Sequence, residues 1–63
     1  MMNRLVEYRK KCGISQLELS RKVGVSRQTI NLIENNKYNP SLKLCISICL
    51  TLGVTLNDIF WED

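Results

Sequence analysis

Apolar residues recur along the chain in short helical groups, and the same kind of phrase closes three of them. Gly-Ile-Ser at 13–15, Gly-Val-Ser at 24–26 and Gly-Val-Thr at 53–55 share one syntax. Glycine suits the left-handed position just past a helix end. Ser or Thr two residues later suits the cap of the next helix. The apolar residue between them packs inward, as in a hydrophobic staple. Each phrase therefore predicts a tight corner between helices. The first helix runs from about Asn3 to Cys12. The second opens at Ser15 with the capping box Ser15-Gln16-Leu17-Glu18 and runs to about Val23, and the third spans about Arg27 to Asn35. Residues 35–41 are rich in turn formers, and Pro40 starts a helix more readily than it continues one. A fourth helix follows from about Ser41 to Leu52, and Thr55 caps a last turn, Leu56 to Phe60. No stretch keeps the period-2 alternation of a strand, so the pattern predicts an all-α domain of five helices.

The second and third helices, joined by Gly24-Val25-Ser26, have the form of a helix-turn-helix unit. Leu19, Val23, Val25, Ile30 and Ile33 are the apolar positions that lock the two together. With those turned inward, the third helix exposes Arg27, Gln28, Thr29, Asn31 and Leu32. A merely solvated face is more often built from Glu and Lys. A DNA major groove presents donors and acceptors in pairs, and Arg, Gln and Asn match two at once. A Thr methyl fits a thymine methyl, and helix N-termini favour phosphate. Double-stranded DNA is the expected partner.

At these residues the chain resembles a known family. "QLELSRKVGVSRQTINLIENNKYNPSL" is similar to the helix-turn-helix of the lambda repressor/Cro (Xre) family, in particular its short stand-alone regulators such as cytolysin-type repressors. The likeness runs from about Leu5 to Phe60 and implies a lambda repressor-like fold. It implies that Arg27, Gln28 and Leu32 meet bases and that Thr29 meets base or phosphate. Gln16 would bind phosphate and buttress Gln28, while Asn31, Asn35, Lys37 and Tyr38 would follow the DNA backbone. Arg9 and Glu34 would form a partly buried ion pair between the first and third helices. Two positions depart from the family pattern. Ser20 replaces the usual Ala at a close helix contact, and Asn36 replaces the usual Gly after the third helix. Asn is the next-best residue for a left-handed backbone.

Length and charge refine this picture. The 63 residues make room for one domain, 1–63, with its helix-turn-helix at about 16–35 and no effector-sensing partner domain. A core this small is marginal and often gains support from a second subunit. All nine Lys and Arg lie within residues 4–43, and residues 44–63 carry only acidic charge, as if one end faced a polyanion. No membrane span and no apolar secretion leader are read, which places the chain in the cytoplasm.

The fourth helix, "SLKLCISICLTL", is more apolar than one buried face requires. Lys43, Ser47 and Thr51 form its polar stripe. Leu42, Cys45, Ile48, Cys49 and Leu52 are expected to face the core, which leaves Leu44, Ile46 and Leu50 partly outside. With Phe60 and Trp61 they make an expected dimerisation surface within 42–61, the partner being a second copy. Cys45 and Cys49 read as small buried thiols, since the chain has no His and no Cys-x-x-Cys. No metal, cofactor or catalytic site is expected. The sequence thus predicts a dimeric, sequence-specific transcriptional regulator, more readily a repressor, on a palindromic operator. An antitoxin that binds a toxin through the fourth helix, and a protein–protein adaptor that keeps the fold without reading DNA, are the rival readings.

Overall fold

The computed structural model describes residues 3–60, which form five helices: α1 (Leu5–Lys11), α2 (Gln16–Val23), α3 (Arg27–Glu34), α4 (Leu42–Leu52) and α5 (Leu56–Ile59). No strand occurs among these residues, and no helix is long and apolar enough to cross a membrane. The expected boundaries hold to within one residue except at the start of the first helix. It begins at Leu5 rather than Asn3. Asn3 is engaged elsewhere: its Oδ1 accepts from the Leu5 amide at 3.0 Å, and its Nδ2 donates to the Ile33 carbonyl at 2.8 Å.

One corner design ends all four longer helices. Gly13, Gly24 and Gly53 sit at φ of 72°, 77° and 70°, and Asn36 at 59°. In each case the amide of the next residue reaches back to a carbonyl of the last helical turn: Ile14 to Arg9, Val25 to Ser20, Lys37 to Leu32 and Val54 to Cys49. This is the Schellman arrangement, which satisfies carbonyls the helix itself leaves open. Ser15, Ser26 and Ser41 then accept from backbone amides three residues on, capping α2, α3 and α4. Ile14, Val25 and Val54 pack against the core between cap and corner. A Cβ added at Gly24 would meet nothing within 4 Å, so Gly24→Ala tests the backbone alone. It is expected to cost about 1–2 kcal/mol, read as a lower urea midpoint at unchanged slope.

Leu5, Leu19, Ile30, Ile33, Ile48 and Ile59 are fully buried and draw one residue or more from every helix. Each contributes about 1.5–3 kcal/mol against leaving it exposed. α2 packs on α3 and α4, α1 on α3, and α4 on α5. Ser20, the departure from the family's Ala, is buried and donates its hydroxyl to the Leu17 carbonyl at 2.7 Å. Its small size keeps α2 close to its neighbours, and the internal bond satisfies the one polar atom this brings indoors. The chain is closed into a ring by its first described residues. Asn3 Nδ2 also reaches Asn36 Oδ1 at 3.0 Å, and the Arg4 amide donates to the Ile59 carbonyl at 2.9 Å.

Candidate nucleic-acid interface

The helix-turn-helix pair is built by the apolar residues that the sequence singles out. Leu19, Ile30 and Ile33 are buried, and Val23 and Val25 pack half-buried against them. Ser26 Oγ accepts from the Thr29 amide at 3.1 Å and lies 2.9 Å from the Thr29 hydroxyl. That cap fixes the first turn of α3. Arg27 and Gln28 on this turn are exposed, as is Asn31 one turn on, while Thr29 and Leu32 are half-buried at the edges of the same face. Arg27, Gln28 and Asn31 therefore present guanidinium and amide heads to solvent, with donor and acceptor sets suited to base edges. The Thr29 hydroxyl is partly committed to the cap, which leaves its methyl as the freer group.

Beneath this face lies a polar network that joins three helices. Arg9 Nε donates to Glu34 Oε2 at 2.6 Å and Arg9 Nη2 to Glu34 Oε1 at 3.4 Å, while Arg9 Nη1 donates to the Ile14 carbonyl at 2.8 Å. The side chains are 12% and 4% exposed. Gln16 Nε2 adds a bond to Glu34 Oε1 at 2.8 Å. The buttress from Gln16 to Gln28 implied by the resemblance is thus replaced by a bond to Glu34. An ionised carboxylate is the stronger acceptor and draws the amide nitrogen to itself. A hollow lined by Arg9, Ser15, Gln16, Leu17 and Arg27 opens between the starts of α2 and α3.

The residues after α3 lie on the surface. Asn35, Lys37 and Tyr38 are exposed, and Asn35 turns its amide nitrogen onto the Asn31 carbonyl at 2.8 Å. Asn3, bound to both Ile33 and Asn36, fixes the end of α3 from outside the helix-turn-helix. The only sequence signal for that role is an Asn just before a helix, a residue type that favours local backbone bonding.

On α4 the exposed face differs from the expected one. Leu42 is 67% exposed, Ile46 43% and Leu50 77%, whereas Leu44 is half-buried against the core. The core-facing role expected for Leu42 is therefore corrected. A helix turns about 100° per residue, so Leu42, Ile46 and Leu50 fall on one stripe opposite Cys45, Ile48 and Leu52. Ser47 and Thr51 take the half-buried flank. Phe60 is half-buried against the core, and Trp61 lies outside the described residues.

All three cysteines are free thiols. Burial pushes the Cys45 and Cys49 thiols above their ordinary value, Cys49 further through the neighbouring Cys45 and Asp58, so both stay protonated and poorly reactive at neutral pH. Among the described residues, no three His, Cys, Asp or Glu side chains come together as metal ligands.

Residues 5–59 match the helix-turn-helix family HTH_3. An uncharacterized HTH-type transcriptional regulator of Methanocaldococcus jannaschii is 50% identical, over all of this chain and 97% of its own. The immunity repressor protein of Bacillus phage phi105 is 32% identical over 95% of this chain, which spans 42% of that longer protein. Among solved structures, the N-terminal DNA binding domain of SinR from Bacillus subtilis superposes with a TM-score of 0.78 at 34% identity, covering 86% of this chain and 80% of its own.

Proposed function

The chain belongs to the HTH_3 (Xre-type) helix-turn-helix family and is a non-enzymatic transcriptional regulator with a DNA-binding domain; on that premise we propose that it is a cytoplasmic repressor, binding a palindromic operator as a homodimer. The observation that carries this reading is the exposed Arg27, Gln28 and Asn31 heads on a capped α3 whose back is anchored by Ile30 and Ile33. Repression is steric. Each subunit lays α3 in a major groove, with Arg27 and Gln28 on base edges, Leu32 and the Thr29 methyl against thymine methyls, and Gln16, Asn31, Asn35, Lys37 and Tyr38 along phosphates. Two half-sites about 34–36 Å apart bind one dimer on one side of the duplex. The similarity to a phage immunity repressor supports the direction of regulation.

The exposed Leu42–Ile46–Leu50 stripe supports a protein partner on α4, and a second copy is the choice that fits a two-fold operator. A different protein on the same stripe, as in a toxin–antitoxin pair, is the second reading that this stripe favours.

The test is binding to duplex DNA with competitor present, at two salt concentrations, with oligomer mass measured in parallel. A short inverted repeat bound by two subunits is expected to survive competitor. Binding lost to competitor on every fragment overturns the reading. Within the same experiment, Lys37→Ala is expected to weaken all duplexes alike and to flatten the plot of log affinity against log salt by about one unit. An unchanged slope would remove Lys37 from the phosphate contacts.

A further inference from the structure

The Glu34 carboxylate is almost entirely buried, yet the bond it accepts from Gln16 reaches the first residue of α2, on the rim of the hollow beside Arg27. A primary amide carries two N–H groups on one end and an oxygen on the other, and a carboxylate only accepts hydrogen bonds. Glu34 therefore admits the nitrogen end of Gln16 and repels the oxygen end. Arg9 holds the carboxylate through two bonds and is itself anchored on the Ile14 carbonyl. The connection runs from that carbonyl through Arg9 and Glu34 to Gln16, and stops at the hollow. Gln16 makes no second side-chain bond among the described residues, so one of its N–H groups is left to donate.

Resting on the DNA-binding reading above, we propose that Glu34 is a positioning residue for the grip on DNA. It fixes the Gln16 amide so that one N–H stays on the carboxylate while the other is donated to a phosphate oxygen. Gln16 is then preorganised, and the rotamer freedom lost on binding falls. The ion pair gains a second role beyond holding α1 to α3: it sets the aim of a contact made by α2.

A double-mutant cycle tests this, on a duplex that the wild-type protein selects from a random-sequence pool. The variants are Gln16→Leu, the paired replacement Arg9→Met/Glu34→Leu, which strands no buried charge, and all three changes together. Helix content is checked for each by circular dichroism. Gln16→Leu is expected to weaken binding about tenfold, as loss of a hydrogen bond to a charged group does. The salt slope stays put, because a neutral amide releases no counterion. In the paired background the same change is expected to alter affinity less than about twofold, since Gln16 has already lost its aim. An equal tenfold loss in both backgrounds overturns the proposal.

A second measurement stands even where the paired variant does not fold. In the wild-type protein, the two side-chain amide protons of Gln16 are followed by NMR as the duplex is added. Protection of both protons in the complex supports the proposal, and release of the Glu34-bonded proton on binding overturns it. A wild type that selects no duplex removes the DNA-binding reading and this inference together. DNA binding with additive losses removes this inference alone.

Discussion

Arg9→Leu is expected to leave the protein largely unfolded at room temperature. The substitution strands the Glu34 carboxylate, 4% exposed, with only the Gln16 amide for company, and it removes the donor to the Ile14 carbonyl. Breaking a buried pair by deleting one partner costs about 3–5 kcal/mol. A single core in a chain below about 70 residues rarely supplies more than that. Far-UV circular dichroism and urea melts check the outcome. Exchanging both members, as in Arg9→Met/Glu34→Leu, is expected to restore most of the helix signal, because two apolar side chains of similar volume leave no charge without a partner. A wild-type midpoint for Arg9→Leu alone would show that the pair is peripheral to stability.

Gln28→Ala and Arg27→Ala are expected to lose site discrimination at wild-type stability. Both side chains are exposed on the first turn of α3, and among the described residues neither makes a side-chain hydrogen bond, so truncation leaves no buried polar atom behind. A bidentate contact to the correct base is worth about 1–3 kcal/mol of discrimination. Each change should therefore lower affinity for the selected site by roughly that amount. Random duplex should be little affected by Gln28→Ala and moderately by Arg27→Ala, which also removes a charge near phosphates. Competition binding of each variant on selected and random duplexes decides it. An equal loss on both for Gln28→Ala would falsify its base-reading role and leave it a backbone contact.

The corners were the most legible part of the fold. Gly, an apolar residue and a hydroxyl at fixed spacing encode the exit from one helix and the cap of the next, and these are local properties that few tertiary contacts override. Asn36 followed the same logic from a weaker residue. The helix-turn-helix face was legible for a similar reason: five apolar positions leave the third helix little choice of which side to expose.

The fourth helix was harder. Its residues are apolar nearly all round, so hydropathy could not say which arc faces inward. The rule that polar residues lie outside pointed at Lys43, Ser47 and Thr51. Packing against α2 and α5 instead put Ser47 and Thr51 on a half-buried flank and turned Leu42 outward. The bonds of Asn3 and Gln16 were not legible for another reason. They reach Ile33, Asn36 and Glu34, far along the chain, and only the assembled fold brings those acceptors within range.

The ring closed by Arg4 and Ile59 sets an order on how the molecule is made. Synthesis delivers α2, the turn and α3 early, and their mutual contacts need nothing beyond residue 36. The Arg4 amide waits for an acceptor that lies fifty-five residues further along the chain. Until then α1 has no α5 to close against, and the nascent chain carries a reading helix without its full frame. A chain truncated in α4 would lack the acceptor for the Arg4 amide, and with it the clasp that ties α5 back to the start of α1.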